Sequence, residues 1–275
     1  MSIKGCPMWA GNVCEQGFRD HWINEGREIF ASGNYKGIWL DYVNMTLDEI
    51  TDINGNKIIP YDYYGNPMGL VQWRTCMTEF TEQIRQAFPD KEIIHNPLWW
   101  YEYPTDSLVV RMIRSANFTC VERGINDAGL NANNFDQLYS FMDAVHNQGK
   151  GILFRVDSGI TDAKTREYGL AGWFLMSNGS DAISSDPWSA PNDWWQGYDL
   201  NIGHALGDRY IWNNVYRRDF TCGIVLLNKP GSLTQNINLQ GTFRTVDGTP
   251  VSSVTLTEKT GQILLKDCST FQHTP

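Results

Sequence analysis

The sequence lacks any run of about 18 apolar residues, the length that a membrane-spanning helix needs. It also lacks an excess of positive charge, because 22 Lys and Arg stand against 31 Asp and Glu, for a formal net charge of −9. Nucleic acids and anionic membranes select basic surfaces, so we expect neither as a partner. The first residues show no charged segment followed by an apolar one, so no signal peptide is expected in the sequence as given.

The motifs of several enzyme classes are missing as well. There is no HExxH, no glycine-rich phosphate loop, no GxSxG and no Cys–His signature, which leaves metalloprotease, kinase and α/β-hydrolase interpretations without support. The six cysteines show no CxxC spacing. We therefore expect no metal site and no cofactor.

The cysteines do raise the question of disulfides. Cys6 and Cys14 are close enough in sequence to bridge in an oxidising compartment, whereas Cys120 and Cys222 lie in apolar runs and are expected to be buried thiols. Three Asn-X-Ser/Thr triplets begin at Asn44, Asn117 and Asn178. Such triplets arise often by chance and accept glycans only in a eukaryotic secretory protein.

What the sequence has in abundance is tryptophan, with 11 Trp in 275 residues. Several are paired or lie in loop-like sequence: Trp99, Trp100, Trp188, Trp194 and Trp195. A large core also takes up Trp, and for any single one that interpretation is favoured. The group as a whole favours a carbohydrate cleft, because flat indole faces stack on the apolar faces of sugar rings.

Between residues 16 and 185, helix-like and strand-like segments alternate. The predicted helices are 16–31, 77–88, 107–116, 134–148 and 161–176. The predicted strands are 37–41, 92–97, 118–122, 151–157 and 181–185. Short apolar strands joined by helices are typical of a parallel sheet buried on both faces, which predicts an α/β fold.

Beyond residue 205 the pattern changes to β-type runs separated by turn sequences. The runs are 222–228, 235–239, 242–246, 251–256 and 262–266. Helical periodicity is absent there. We therefore predict an α/β domain over residues 1–204 and a small antiparallel β domain over 205–275.

Two of the predicted strands end in an acidic residue. Asp41 and Glu122 end strands that have one strand between them, and in α/β barrels functional residues gather at the carboxyl ends of strands. Glycoside hydrolysis needs two carboxyl groups roughly 5–9 Å apart, and this placement predicts such a pair. The alternative is that each acid caps a helix or pairs with an Arg. Trp39 and Tyr42, which flank Asp41, are candidate sugar-binding side chains.

Polar residues near these acids are candidates for binding substrate. Arg123, Arg155 and Asp157 are predicted to orient the acids or to hold hydroxyls, although an ion pair between Arg155 and Asp157 is the favoured use of those two. Asn96 offers both donors and an acceptor to a sugar hydroxyl. His95 is predicted either to contact substrate or to be a core histidine with its hydrogen bonds satisfied.

Several segments resemble a known group of proteins. Residues 34–45, NYKGIWLDYVNM, resemble the GYDGVFLDNV-type segment of glycosyl-hydrolase-like families, in particular the hypothetical glycoside hydrolase family fifteen. They are also similar to the related endo-α-1,4-polygalactosaminidase group. GYDLNIG, YRRDFTCGIVLLNKPG and GTFRTVDGTPVSSVTLTEKTGQILL resemble the ending of that family. The resemblance runs in order over about residues 8–266, with the middle matched mainly by pattern.

This resemblance implies a TIM-type (β/α)₈ barrel whose fourth strand ends in a catalytic Asp and a later strand in a catalytic Glu. On this sequence those are Asp41, as nucleophile or base, and Glu122, as acid. A polysaccharide or oligosaccharide substrate and an extracellular or periplasmic location are also implied. The particular sugar does not carry over.

The sequence departs from the family pattern at its start. If 37–41 is the fourth strand, two strand–helix units are missing before it, and five strands precede residue 190 where a barrel has eight. We predict an N-terminally truncated barrel, whose missing part a homo-oligomer or a second chain supplies. The alternatives are that the sequence is a fragment or that the strand count is wrong. The alternative function is a non-catalytic carbohydrate-binding or structural assembly protein on a degenerate barrel. A lyase or a transferase on the same scaffold is a third.

Overall fold

The computed structural model describes residues 12–47, 60–62, 64–97, 103–156, 162–185 and 195–266. Its helices are α1 (Gln16–Ala31), α2 (Leu70–Ala87), α3 (Ser107–Ser115), α4 (Phe135–Asn147) and α5 (Ala163–Met176). The strands that alternate with them are β1 (Gly37–Asp41), β2 (Glu92–Asn96), β3 (Phe118–Val121), β4 (Gly151–Val156) and β5 (Ala182–Ser185). Six further strands follow: β6 (Tyr210–Trp212), β7 (Val215–Phe220), β8 (Gly223–Asn228), β9 (Gln235–Arg244), β10 (Pro250–Leu256) and β11 (Thr260–Leu265).

The first five strands form one sheet in the order β1-β2-β3-β4-β5. β1 pairs in parallel with β2, β2 with β3, and β4 with β5. A helix separates each strand from the next, which confirms the predicted α/β class. Among the described strands, β1 and β5 are the two edges of this sheet, so these strands do not close the predicted eight-stranded barrel.

The edge position corrects the prediction that every strand is buried on both faces. In β1 only Leu40 is buried, and Trp39 is 47% exposed. The interior strands β3 and β4 do fit the prediction, since Cys120, Val121 and Phe154 are almost fully buried. β1 is more exposed than β3 and β4 because, among the described strands, it has a neighbour on one side and they have neighbours on both.

The last six strands form a separate sheet in the order β10-β9-β11-β8-β7-β6, with antiparallel pairing. The predicted antiparallel β region is thereby confirmed. Its core is a cluster of buried side chains from β7 to β11: Val215, Ile224, Leu226, Ile237, Leu239, Phe243, Leu256 and Leu264. The predicted domain boundary at 204/205 stays a prediction.

Two details of this sheet differ from the prediction. The runs 235–239 and 242–246 form a single strand, β9, with a register irregularity opposite Val251/Ser253 and a left-handed Gln240 (φ 56°) that mark a bulge. The hairpin of β6 and β7 was not predicted. Its two-residue turn, Asn213-Asn214, has positive φ at both positions, the geometry that matches the twist of paired strands.

By their contacts the described residues divide into two compact units. The first holds the residues up to Cys120 with Ala144–Ile152, and the second holds Val121–Asp143 and the residues from Leu153 onward. In the first unit α2 packs on α1 and α3, and in the second α5 packs on β8 and β11. α2 begins seven residues before its predicted start at 77, because the exposed Leu70 and Val71 obscure the helical apolar pattern. No described helix has the length and apolar character of a membrane span.

The cysteines correct two predictions. Cys14 forms a disulfide with Cys76, 62 residues away, and not with Cys6, which lies outside the described residues. Cys222 is disulfide-bonded as well, so the prediction of a buried thiol there is wrong. Cys120 is a buried thiol, as predicted.

Candidate functional site

The first candidate acid, Asp41, is the last residue of β1, and its side chain is exposed. Its Oδ1 accepts hydrogen bonds from Nδ2 of Asn96 (2.8 Å) and from the backbone N–H of Tyr42 (3.1 Å). Asn96 is the register partner of Asp41 on β2. The structure therefore brings these two predicted site residues together at the carboxyl end of two parallel strands.

An exposed indole lies on the same face of β1. Trp39 and Asp41 are two residues apart, so their side chains project to one side of the sheet, where Asn96 also lies opposite Asp41. Trp39 is 47% exposed and Tyr42 is 56% exposed. A carboxylate held by an amide, with accessible aromatic rings beside it, has the composition of a sugar subsite.

The second candidate acid, Glu122, directly follows β3 and is paired with Arg155 of β4. Nη1 of Arg155 lies 3.0 Å from Oε1 of Glu122, with side-chain exposures of 17% and 43% respectively. Arg155 thus lies where it can orient this acid. The sequence favours an ion pair between Arg155 and Asp157 instead. Asp157 lies outside the described residues, so this pair stays a prediction.

The chain turns sharply after each acid. Tyr42 has φ 53° and Arg123 has φ 67°, so each acid is followed by a non-glycine residue in the left-handed region. Of the other four such residues in the described chain, Gln240 lies in β9 and three lie in turns between the antiparallel strands: Asn213, Asn214 and Lys259. Left-handed non-glycine residues are uncommon and cluster at functional sites.

A close backbone approach reinforces the turn after Glu122. Gly124 also has positive φ (55°), and a Cβ there would come within 2.8 Å of the Phe154 ring. A side chain at position 124 is therefore excluded by the backbone conformation and by space. Arg123 itself is exposed and begins the short 3₁₀ turn Gly124–Asn126. Sequence reasoning missed both turns, since neither Tyr nor Arg favours this conformation.

His95 lies on the opposite face of β2 from Asn96, because successive side chains of a strand alternate. It is 1% exposed, and neither ring nitrogen has a hydrogen-bond partner among the described residues. Burial, with the nearby positive charges of Arg85 and Lys150, lowers its pKa to about 3. A neutral buried imidazole favours a core histidine over one that contacts substrate. The prediction of satisfied hydrogen bonds is not met among the described residues.

Of the other predicted aromatic residues, the structure describes Trp195. Its ring meets Tyr198 edge-on at 5.6 Å and covers Gly197, so it packs against its own 3₁₀ turn Gln196–Asp199. The remaining predicted residues lie outside the described chain: Trp99, Trp100, Asp157, Trp188 and Trp194. In the part of the chain that is described, no three His, Cys, Asp or Glu side chains gather as metal ligands.

A cavity of about 400 Å³ lies away from the acids, between α1 and the start of β1. Its walls are mainly apolar side chains, including Trp22, Ile29, Phe30 and Ile38. The sequence predicted the helix over 16–31 but not this opening. Asp41 is at the other end of β1, so the cavity is not part of the candidate site.

Known proteins resemble this chain only weakly. No family model matches the sequence, and no curated protein matches it. The resemblance described above therefore stays a prediction. Among solved structures, an Anoxybacillus alpha-amylase matches with 10% identity and a TM-score of 0.43, covering 91% of this chain and 63% of the amylase.

Two further structures are also glycoside hydrolases. The glycoside hydrolase domain of PelA from Pseudomonas aeruginosa matches with 19% identity and a TM-score of 0.40, covering 68% of each chain. A GH36 alpha-galactosidase, AgaA, from Geobacillus stearothermophilus matches with 10% identity and a TM-score of 0.38, covering 96% of this chain and 41% of that one. This chain spans less than two thirds of the amylase and of the galactosidase. At TM-scores below 0.5 these likenesses carry no weight for function.

Proposed function

We propose that this protein is a glycoside hydrolase that cleaves a polysaccharide or an oligosaccharide with Asp41 and Glu122 as its carboxyl pair. The proposal is carried by the position and the local backbone that Asp41 and Glu122 share. Each stands at the carboxyl end of a strand of the α/β sheet, and each is followed by a left-handed non-glycine residue. Such turns at strand ends are typical of catalytic positions in α/β enzymes.

The surroundings of Asp41 suit a nucleophile or base. Both of its described hydrogen bonds end on Oδ1, and the exposed side chain stands beside Trp39 and Tyr42. In the proposed reaction this carboxylate attacks the anomeric carbon or activates a water molecule, while the aromatic rings hold the sugar. Asn96 fixes the orientation of the carboxylate.

Glu122 takes the role of acid by resemblance to the family. Nη1 of Arg155 lies 3.0 Å from its carboxyl group and holds it in place. The experiment has to separate the two roles.

The test compares Asp41→Asn and Glu122→Gln with the wild type on a panel of glycans and on aryl glycosides with acidic leaving groups. We expect Asp41→Asn to lose at least about 100-fold in kcat on both kinds of substrate. Glu122→Gln should lose a similar factor on glycans but keep its kcat/KM on the aryl glycosides, because cleavage of the bond to a good leaving group needs no acid. If Asp41→Asn is the variant that stays active on the aryl glycosides, Asp41 is the acid and Glu122 the nucleophile or base. Full activity of both variants contradicts the proposal.

A second function is favoured by the exposed aromatic side chains of β1 and by the absence of barrel closure among the described strands. A carbohydrate-binding or structural assembly protein on a degenerate barrel would bind glycans without turning them over. Calorimetry on the same panel separates the two proposals. Glycan binding that Trp39→Ala abolishes, with no products from the wild type, supports the binding protein.

The remaining expectations belong to this proposal. A second chain or a second copy pairing with β1, an edge among the described strands, would complete the barrel, and sedimentation at several concentrations tests for it. Membership of the hypothetical glycoside hydrolase family fifteen, or of the polygalactosaminidase group, is proposed on the resemblance alone. The disulfides support an extracellular or periplasmic location, because they persist in oxidising compartments.

A further inference from the structure

The three Asn-X-Ser/Thr triplets differ sharply in their surroundings. Asn44 is buried, with 6% of its surface exposed. Oδ1 of Asn117 accepts hydrogen bonds from the backbone N–H of Ile93 (2.9 Å) and from the guanidinium of Arg85. A branched oligosaccharide on either side chain would displace packed or hydrogen-bonded groups, and neither position can carry one in the folded protein.

Asn178 is in the opposite situation. It lies in the turn between α5 and β5, and Asn178, Gly179 and Ser180 are all exposed. Its Oδ1 accepts a hydrogen bond from the backbone N–H of Ser180 (3.0 Å), and its own backbone N–H donates to Asp181 (3.0 Å). Nothing lies within 4 Å of a Cβ built at Gly179. The side-chain amide of Asn178 therefore faces open space on an ordered turn.

The position on the sheet keeps this turn clear of the second candidate acid. Asn178 precedes β5, so it lies at the edge where the parallel strands β4 and β5 begin. Arg155, which pairs with Glu122, stands near the far end of β4, opposite Ser184 of β5. A bulky group on Asn178 would leave that acid accessible.

The disulfides are an independent indication of a suitable compartment. Cys14 and Cys76 are bonded, and Cys222 is disulfide-bonded too. Such bonds persist in secreted proteins, in the secretory pathway and in the bacterial periplasm but are rare in the cytosol. Eukaryotic secretory compartments are also where Asn-X-Ser/Thr triplets receive glycans.

From these observations we propose that Asn178 is an attachment site for an N-linked oligosaccharide. In the transfer, Nδ2 of Asn178 forms a bond to the anomeric carbon of an oligosaccharide carried on a lipid diphosphate. The bond from that carbon to the diphosphate oxygen breaks, the lipid diphosphate leaves, and Nδ2 loses one proton. No oxidant or reductant is needed. Neither Asn178 nor Ser180 takes part in the proposed glycan cleavage.

The test secretes the full chain from cultured eukaryotic cells behind a cleavable secretion signal and measures its intact mass before and after peptide N-glycosidase treatment. We expect the wild type to lose the mass of one oligosaccharide. Asn178→Gln and Ser180→Ala should each lack that mass. Ser180→Ala keeps the Asn178-Gly179 pair, so it separates glycan attachment from deamidation, to which Asn-Gly pairs are prone.

Mapping of peptides from the wild type locates the glycan even if a variant is secreted poorly. A glycan on the peptide that contains Asn178, with Asn44 and Asn117 unmodified, supports the proposal. A secreted wild type without glycosidase-sensitive mass overturns it. So does a glycan that persists in Ser180→Ala or maps to either of the other two sites.

Discussion

At the scale of single residues, Glu167 shows how burial changes ionisation. This residue of α5 accepts hydrogen bonds from the backbone N–H of Ile263 (2.8 Å) and from Nε2 of Gln262 (3.2 Å), both on β11. β11 pairs with β9 at a single described position, Leu265 with Arg244. Glu167 therefore accepts the hydrogen bond of the Ile263 N–H, which β9 would accept in a fully paired sheet. Burial nevertheless raises its pKa to about 7, against the lowering effect of the Ile263 amide.

This shift predicts a pH dependence of stability. The folded protein holds a proton on Glu167 up to about pH 7, whereas the unfolded chain releases it near the ordinary value of 4.5, so stability falls as pH rises between these values. Each pKa unit corresponds to about 1.4 kcal/mol, which sets an upper limit of roughly 3.5 kcal/mol. Glu167→Gln should flatten this part of the profile in urea unfolding measured from pH 4.5 to 8.

A matched control is Glu28→Gln on the exposed side of α1, which should leave the pH profile as in the wild type. If Glu167→Gln keeps the slope of the wild type, the burial of this carboxyl does not govern the pH dependence.

At the scale of secondary-structure elements, the second unit depends on close packing of α5 against β11. A Cβ at Gly261 would lie 2.6 Å from Cβ of Ala171 and 3.2 Å from the Cα of Tyr168. The second of these atoms belongs to the helix backbone, so relief requires the helix and the strand to move apart. The glycine therefore sets how closely the two elements approach.

Gly261→Ala is expected to destabilise the protein by about 1–3 kcal/mol, because overpacking a tight contact forces backbone shifts. The free energy of urea unfolding measures the effect. Gly207→Ala is the matched control, since position 207 is exposed and nothing lies within 4 Å of a Cβ there. Equal stability of the two variants would contradict the close approach.

The elements themselves differ in how well the sequence predicts them. α4 is predicted to within one residue at each end, because its apolar face is regular and wholly buried, as shown by Phe135, Leu138, Phe141, Met142 and Val145. β7 was missed, because its middle residues Arg217, Arg218 and Asp219 are charged and partly exposed. Arg218 donates to the carbonyl oxygens of Phe174 and Ser177 at the end of α5. Such a partner is distant in sequence, so local apolar patterns do not reveal the strand.

At the scale of the whole molecule, covalent cross-links add to the stability of the fold. The disulfide from Cys14 to Cys76 joins the segment before α1 to the middle of α2, within the first unit. Its sequence separation of 62 residues closes a long loop. A cross-link of this kind removes conformations mainly from the unfolded chain.

Replacing both cysteines, in Cys14→Ser/Cys76→Ser, should lower the free energy of unfolding by about 2–4 kcal/mol. Urea unfolding under oxidising conditions measures this. A reducing agent should then destabilise the variant less than the wild type, since the bond that involves Cys222 is the one left to break among the described cysteines. A variant as stable as the wild type would contradict the predicted stabilisation by this bond.

The sequence by itself determined the α/β order, the antiparallel region and the strand-end acids, because each depends on patterns between residues that are near in the chain. Only the tertiary structure decided the partners of distant residues. It paired Cys14 with Cys76 and Arg155 with Glu122, buried His95 and left Trp39 exposed on an edge strand. These outcomes depend on distances between remote segments, which local apolar periodicity and turn chemistry do not encode.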